Sequence, residues 1–297
     1  MVNKNQKQLL GISALVLAGF FYSLFGVFTR YVIRDLGFYY QSVSRYFVGA
    51  IIFSLLVYSF RSYKRIKKHD WKWFFLISVF AVATNIPFYL AVNNLPLGTA
   101  LFLFYALSLI TSYLFGYFAL KERLNLIKII ALFLAMVGIY FIYQGNFSVS
   151  QPIYLLAAIL SGAFFGLYSS TSKKINLKYS SLQINFVSYI LIFLLTTPFM
   201  VINKESVNLN FFSFSWFMNI LYATAMLISG FFTVYGLKYI EAQKGSLILL
   251  SELIFVVING FIFFKEIPGL AVVIGGIFIL VALILPNVNL RQKHLSY

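Results

Sequence analysis

"LKERLNL" (Leu120–Leu126) and "FKEIPGL" (Phe264–Leu270) decide how this chain is built. Each is a short charged turn between two long apolar runs, and each carries a Lys-Glu pair, Lys121-Glu122 and Lys265-Glu266. Only 10% of the 297 residues are charged, so a repeated pair of charges means more than a repeated Leu. The two turns lie 144 positions apart, and at that offset Leu103 meets Leu247, Leu109 meets Leu253, Gly116 meets Gly260, Ile130 meets Ile274 and Val137 meets Val281. An offset of 143 aligns "AGFFYSLF" (18–25) with "SGAFFGLY" (161–168). Offsets of 142 and 146 pair Gln41 with Gln183 and Tyr89 with Tyr235, the drift expected from changes in loop length.

The apolar runs on either side are too long for a soluble fold. The chain is 61% hydrophobic with mean hydropathy +0.90, where a soluble domain is about half apolar and a quarter charged. A window of about twenty residues finds ten candidate spans, 9–29, 39–60, 72–93, 98–118, 125–144, 152–171, 181–202, 214–235, 244–264 and 267–286. They are too long and too uniformly apolar for the alternating strands of a membrane barrel. The fold class expected is therefore all-α integral membrane. The apolar run after "MVNKNQKQ" has no small-residue cleavage site and reads as a retained first span.

The repeat divides the chain into a first five-helix unit, 1–146, and a second, 147–297, within one transmembrane domain. Five is odd, so the second half enters the membrane upside down: ten transmembrane helices as two inverted five-helix repeats. That arrangement goes with alternating access around a site near the bilayer midplane. The cations then orient the bundle. With the N-terminus inside, inner segments hold 18 Lys and Arg and outer segments 4 (Arg30, Arg34, Lys204 and Lys265), with Arg45 inside a span. Positive residues favour the cytoplasmic side, so both termini are expected there. The formal charge of +16 thus reflects topology rather than nucleic acid.

Polar residues inside spans are the candidates for function, because a charge at the bilayer centre costs at least ~2.5–3.5 kcal/mol. In "LILLSELIFVVING" (Leu247–Gly260) the one charge is Glu252, about 12 Å into span nine at 1.5 Å per residue. Its repeat partner is Ser108, which shares a helical face with Tyr105 and Ser112, and Asn259 shares a face with Glu252. Arg45, near the outer end of span two, can attract an anionic group or anchor at the outer leaflet. Asn85 and Pro87 in "TNIPFYL" interrupt span three, freeing a carbonyl expected at Ala83. Tyr22, Phe165 and Tyr168 can wall the site or stack on a cation. Glu122 and Glu266 open spans five and ten and are expected to cap them.

Taken together, these features resemble the drug/metabolite transporter superfamily, most closely its EamA-type members. The resemblance rests on the aromatic-small stretches Tyr22-Ser23 to Arg30 and Phe165-Gly166 to Lys173, on Arg45-Tyr46, on Glu122 and Glu266, and on Glu252. The chain departs from the family pattern where Tyr22 and Phe165 replace Trp, Leu109 and Leu253 replace Pro, and Lys121 and Lys265 replace Gly.

The resemblance implies a secondary transporter of the cytoplasmic membrane. Its substrate would be a small polar or zwitterionic metabolite, an amino acid for export being the first expectation. Choline-like amines and nucleoside-type metabolites are the alternatives. Glu252 would bind a substrate amine or a coupling proton. From another class, a lipid-handling protein or scaffold fits the same composition. An enzyme would want a second carboxylate, a His or a metal near Glu252, and none is visible. No Walker sequence, dinucleotide fingerprint or metal-ligand spacing occurs, and the chain has no cysteine, so no cofactor or metal is expected. The expected partners are a small-molecule substrate, protons and membrane lipids.

Overall fold

The computed structural model describes residues 4–32, 35–95, 97–143, 152–208 and 210–288. The expected repeat boundary at 146/147 and the cations Arg34, Arg291 and Lys293 lie outside them. The described chain is helical, with ten spans long and apolar enough to cross a membrane. In order they are α1 (Lys4–Val32), α2 (Phe38–Ser59), α3 (Trp71–Asn94), α4 (Leu97–Phe118), α5 (Leu126–Tyr143), α6 (Pro152–Thr171), α7 (Ser181–Ile202), α8 (Phe214–Leu237), α9 (Ala242–Leu249) with α10 (Ser251–Phe264), and α11 (Leu270–Val288). Span nine is thus two half-helices, α9 and α10, joined through Leu250.

The five most extensive helix packings all join one half to the other. α1 packs along α8 as α6 packs along α3, and α4 lies against α6 as α9 and α10 lie against α1. The equivalents α2 and α7 pack on each other, as do α5 and α11. A twofold-related set of contacts between two five-helix units of opposite direction is the inverted repeat that the Lys-Glu turns announce.

The helix ends carry the same symmetry. Among the described residues the non-glycine positions with positive φ are Arg61 (47°), Lys204 (52°), Lys121 (59°) and Lys265 (60°). They fall in two repeat-related pairs, each just past a helix C-terminus. Glu122 N–H bonds back to the Gly116 carbonyl at 2.9 Å, and Glu266 N–H to that of Gly260 at 3.2 Å. A left-handed residue closing a helix this way is most often glycine, which lacks the clashing Cβ. The geometry explains the glycine of the family pattern at these two places. Here cations stand in it, and their charge suits the negative end of the helix dipole.

Small residues let the halves approach. A Cβ built on Gly19 of α1 would lie 2.4 Å from Ser251 Oγ and 3.0 Å from the Glu252 backbone nitrogen. One built on its repeat partner Gly162 of α6 would lie 2.2 Å from the Phe104 carbonyl oxygen. Gly19 therefore seats α1 on the break in span nine, and Gly162 seats α6 on α4.

Candidate functional site

Glu252 lies in the first turn of α10. It is ten residues from the start of α9, or ~15 Å along the helix, about half of a ~30 Å hydrocarbon core. Tyr105 of α4 donates its hydroxyl to Glu252 Oε1 at 3.0 Å. Tyr143, the last residue of α5, stacks on Tyr105 with ring centres 5.9 Å apart and planes 6° apart. Tyr22 of α1 lies within electrostatic reach of Glu252, and its hydroxyl accepts from Thr233 of α8 at 3.3 Å.

A tyrosine wall leads away from the carboxylate. Tyr22 lies within electrostatic reach of Tyr46 on α2, Tyr168 on α6 lies within reach of both, and Tyr189 on α7 within reach of all three. Tyr46 meets Tyr189 edge to face at 5.3 Å. Asn85 of α3 donates to the Tyr46 hydroxyl at 3.4 Å. The wall ends at Arg45, whose guanidinium carbon sits 3.9 Å over the Tyr222 ring of α8, within cation–π range. Arg45 donates to Gln41 Oε1 at 3.0 Å and Ser42 Oγ at 3.3 Å. Arg45 is buried, and neither it nor Glu252 meets an opposite charge among the described residues.

The structure thus brings together Glu252, Tyr105, Tyr22, Tyr168, Asn85 and Arg45. Phe165 backs Tyr168 at 6.3 Å and Phe104 at 5.0 Å. Two expected residues do other work. Ser108 turns its hydroxyl onto the Tyr105 carbonyl of its own helix at 2.9 Å, so the residue α4 delivers to Glu252 is Tyr105. Asn259 donates to Ser23 Oγ at 2.8 Å and ties α10 to α1. Near Pro87 the carbonyl that finds a new donor is that of Thr84, which accepts from Ser161 of α6 at 2.9 Å. Tyr143, Tyr189 and Tyr222 join the site without a signal that would single them out among 21 tyrosines. Gln41 was marked only by its repeat partner.

A second polar cluster closes the end of the bundle where α1 begins. Glu122 is 8% exposed, yet it caps α9 rather than α5. It accepts from the Ala242 and Gln243 backbone N–H groups at 2.6 and 3.1 Å, and Lys173, in the turn just past α6, stands 3.5 Å away. The cap of α5 is Asn125, whose Oδ1 accepts from Lys128 N–H at 2.9 Å. Lys128, 3% exposed, donates to Gln243 Oε1 at 2.7 Å and the Arg123 carbonyl at 2.6 Å, and pairs with Glu241 at 2.9 Å. Lys173 also donates to the Ile240 carbonyl, and Lys174 to that of Ala119. A Cβ on Gly116 would lie 2.8 Å from Glu122 Oε2, and one on Gly260 3.0 Å from Glu266 Oε2, so the two carboxylates hold repeat-related positions.

Together, an inverted ten-helix bundle, a charged group near mid-membrane and a polar closure at one end define a membrane transporter scaffold. The chain belongs to the EamA-like transporter family, whose model matches residues 9–144 and again 152–288, once per half. It is a multi-pass membrane protein, and the family implies a small-molecule substrate. A crystal structure described only as that of a protein superposes with TM-score 0.80 at 14% identity, over 98% of this chain and 100% of its own, which shows the fold alone. No curated protein matches the chain in sequence.

Proposed function

We propose that the protein is a secondary transporter of a small zwitterionic metabolite, with amino acids the first class, working by alternating access. The observation that carries this reading is a pair of opposite charges at the two ends of one tyrosine wall, Arg45 buried and Glu252 half-buried, neither met by an opposite charge among the described residues. A buried charge without a counter-ion is costly, and a ligand bearing both charges relieves two such costs at once. Glu252 receives the amine and Arg45 the carboxylate, while Tyr22, Tyr46 and Tyr168 enclose what lies between. A proton on Glu252 competes with the amine, which couples the two movements. The 18-to-4 cation count supports the cytoplasmic membrane with both termini inside, and family membership favours export. The tyrosine wall also favours a second reading, a choline-like cation held by ring faces alone.

The test is transport into proteoliposomes with amino acids, choline and nucleosides, with and without a pH gradient. Amino-acid flux that responds to the gradient is the expected result. Choline flux indifferent to Arg45→Gln would establish the second reading, and flux of none of the panel would remove both. The chain has no cysteine, so single cysteines report orientation cleanly. Cysteines at Asn94 and Ser206 should react with an impermeant reagent from outside, and ones at Ser62 and Lys68 should not. Asn176 is buried and Phe147 lies outside the described residues, so neither is a useful reporter. The reverse pattern would overturn the orientation.

A further inference from the structure

Residues 61–72, the α2–α3 segment with the first turn of α3, carry Arg61, Lys64, Arg65, Lys67, Lys68 and Lys72 within twelve residues. Three other cations at this end of the bundle are used inside the protein. Lys128 serves Glu241, Lys173 serves Glu122, and Lys178 serves Asp70. The six of the α2–α3 segment are all exposed, and none forms an ion pair among the described residues. Its one acid, Asp70, is fully buried and taken by Lys178 at 2.8 Å, Tyr179 at 2.9 Å and His69 at 3.1 Å. Positive-inside topology requires cations here. It does not require that they be stripped of every local counter-ion.

Nor is the segment a loose tether. Lys64 exchanges two backbone hydrogen bonds with the Gln183 side chain, at 3.0 and 2.6 Å. Lys67 N–H donates to the Tyr179 hydroxyl at 3.1 Å, Ser180 Oγ donates to the Ser62 carbonyl at 3.2 Å, and Ile66 is buried. The backbone is held and the charged ends are left to the outside. Two exposed rings flank them, Tyr63 and Trp71, residues of the kind that settle at the headgroup level. Trp71 opens an apolar span, so the cations stand at the boundary of the bilayer.

We propose that residues 61–72 form a prearranged binding surface for the headgroups of anionic phospholipids in the adjoining leaflet. Each Lys or Arg near a membrane surface adds to the attraction for an acidic lipid. The ring pair and the depth of the segment favour a lipid over a free anion, since a soluble phosphate gains nothing from neighbours that sit in the interface. The inference is independent of the substrate and of the site at Glu252.

The test uses the full-length protein and the variant Lys64→Gln/Arg65→Gln/Lys67→Gln/Lys68→Gln. The variant leaves fourteen inner cations against four outer ones, so the insertion signal persists, and a single size-exclusion peak checks its fold. Native mass spectrometry after equal additions of phosphatidylglycerol and phosphatidylcholine should show phosphatidylglycerol retained about tenfold over phosphatidylcholine on the wild type. The preference should fall to near parity in the variant. Equal retention on the wild type, or an unchanged preference in the variant, overturns the proposal. Full displacement of the lipid by millimolar inorganic phosphate also overturns it, in favour of a soluble-anion site. If the variant does not fold, quenching of Trp71 by brominated phosphatidylglycerol against brominated phosphatidylcholine, in a Trp73→Phe/Trp216→Phe protein with its cations intact, reads the same preference. Selectivity that weakens with salt supports the proposal, and quenching equal for both lipids overturns it.

Discussion

Glu122 and Glu252 are both carboxylates inside an apolar bundle, and their surroundings are opposite. Glu122 takes two backbone N–H groups at the start of α9 and stands beside Lys173. Glu252, among the described residues, has a single tyrosine hydroxyl. The protein's own groups answer the first charge. The second meets no opposite charge among the described residues. Both act on span nine, one at the start of α9 and one just past the break, so the helix that closes one end of the bundle also carries the charge at its centre.

The contrast predicts different failures. Glu122→Ala removes a cap from two N–H groups and leaves Lys173 half-buried without its partner. Breaking a buried pair costs about 3–5 kcal/mol, so thermal stability in detergent should fall sharply, and an unchanged melting profile would mean the cluster is not a closure at all. Asp70, outside the membrane, is satisfied in the same manner. Burial pushes its carboxyl upward, but the hydrogen bonds from Lys178 and Tyr179 and the nearby His69 outweigh it and hold the group below its ordinary value of 3.8. The unfolded chain therefore holds that proton more readily. The stabilisation is present above the ordinary value and is lost as pH falls through the lowered one. Asp70→Asn should cost about 1–3 kcal/mol at neutral pH, with the gap to wild type closing in strong acid. A gap independent of pH would separate Asp70 from its charge.

Glu252→Gln should behave in the opposite way. It keeps the shape and removes a charge that no opposite charge among the described residues answers, so folding should be retained. Transport driven by a pH gradient should fall at least about tenfold, or about 1.4 kcal/mol in the barrier. Wild-type flux and pH dependence would reduce Glu252 to a packed carboxyl, and the comparison with Glu122 would lose its meaning. The smallest effect belongs to the turns. Lys121→Gly relieves a left-handed residue of its Cβ but frees the unfolded backbone, so a net gain of about 0.5–1 kcal/mol is expected. A loss would show that the lysine's charge at the helix end outweighs the strain.

How much of this could be read beforehand follows from what each feature depends on. The spans were legible because bilayer thickness dictates their length, and the repeat because two charged turns recur among few charges. Glu252 stood out for the same scarcity. The break at Leu250 gave no sign: "LILLSEL" has neither Gly nor Pro, and the seat for it is Gly19, on another helix more than two hundred residues away. Glu122 was read as a cap, correctly in kind, but its helix lies across the repeat, beyond the range of local pattern. Lys128, one of the eighteen cations assigned to inner segments, is buried against Glu241. Tyr143, Tyr189 and Tyr222 depend on which helices become neighbours.

That interleaving of the halves bears on how the chain is made. Because α1, α2, α3 and α5 find their main partners in α8, α7, α6 and α11, the first five helices leave the ribosome with their contact faces unmatched. They must wait in lipid or beside the insertion machinery until the later helices arrive. Biogenesis is therefore a late, joint event, in which neither half has a finished interior to lend the other. A ribosome stalled between the two halves would release a fragment that is inserted but not assembled, a natural substrate for membrane quality control.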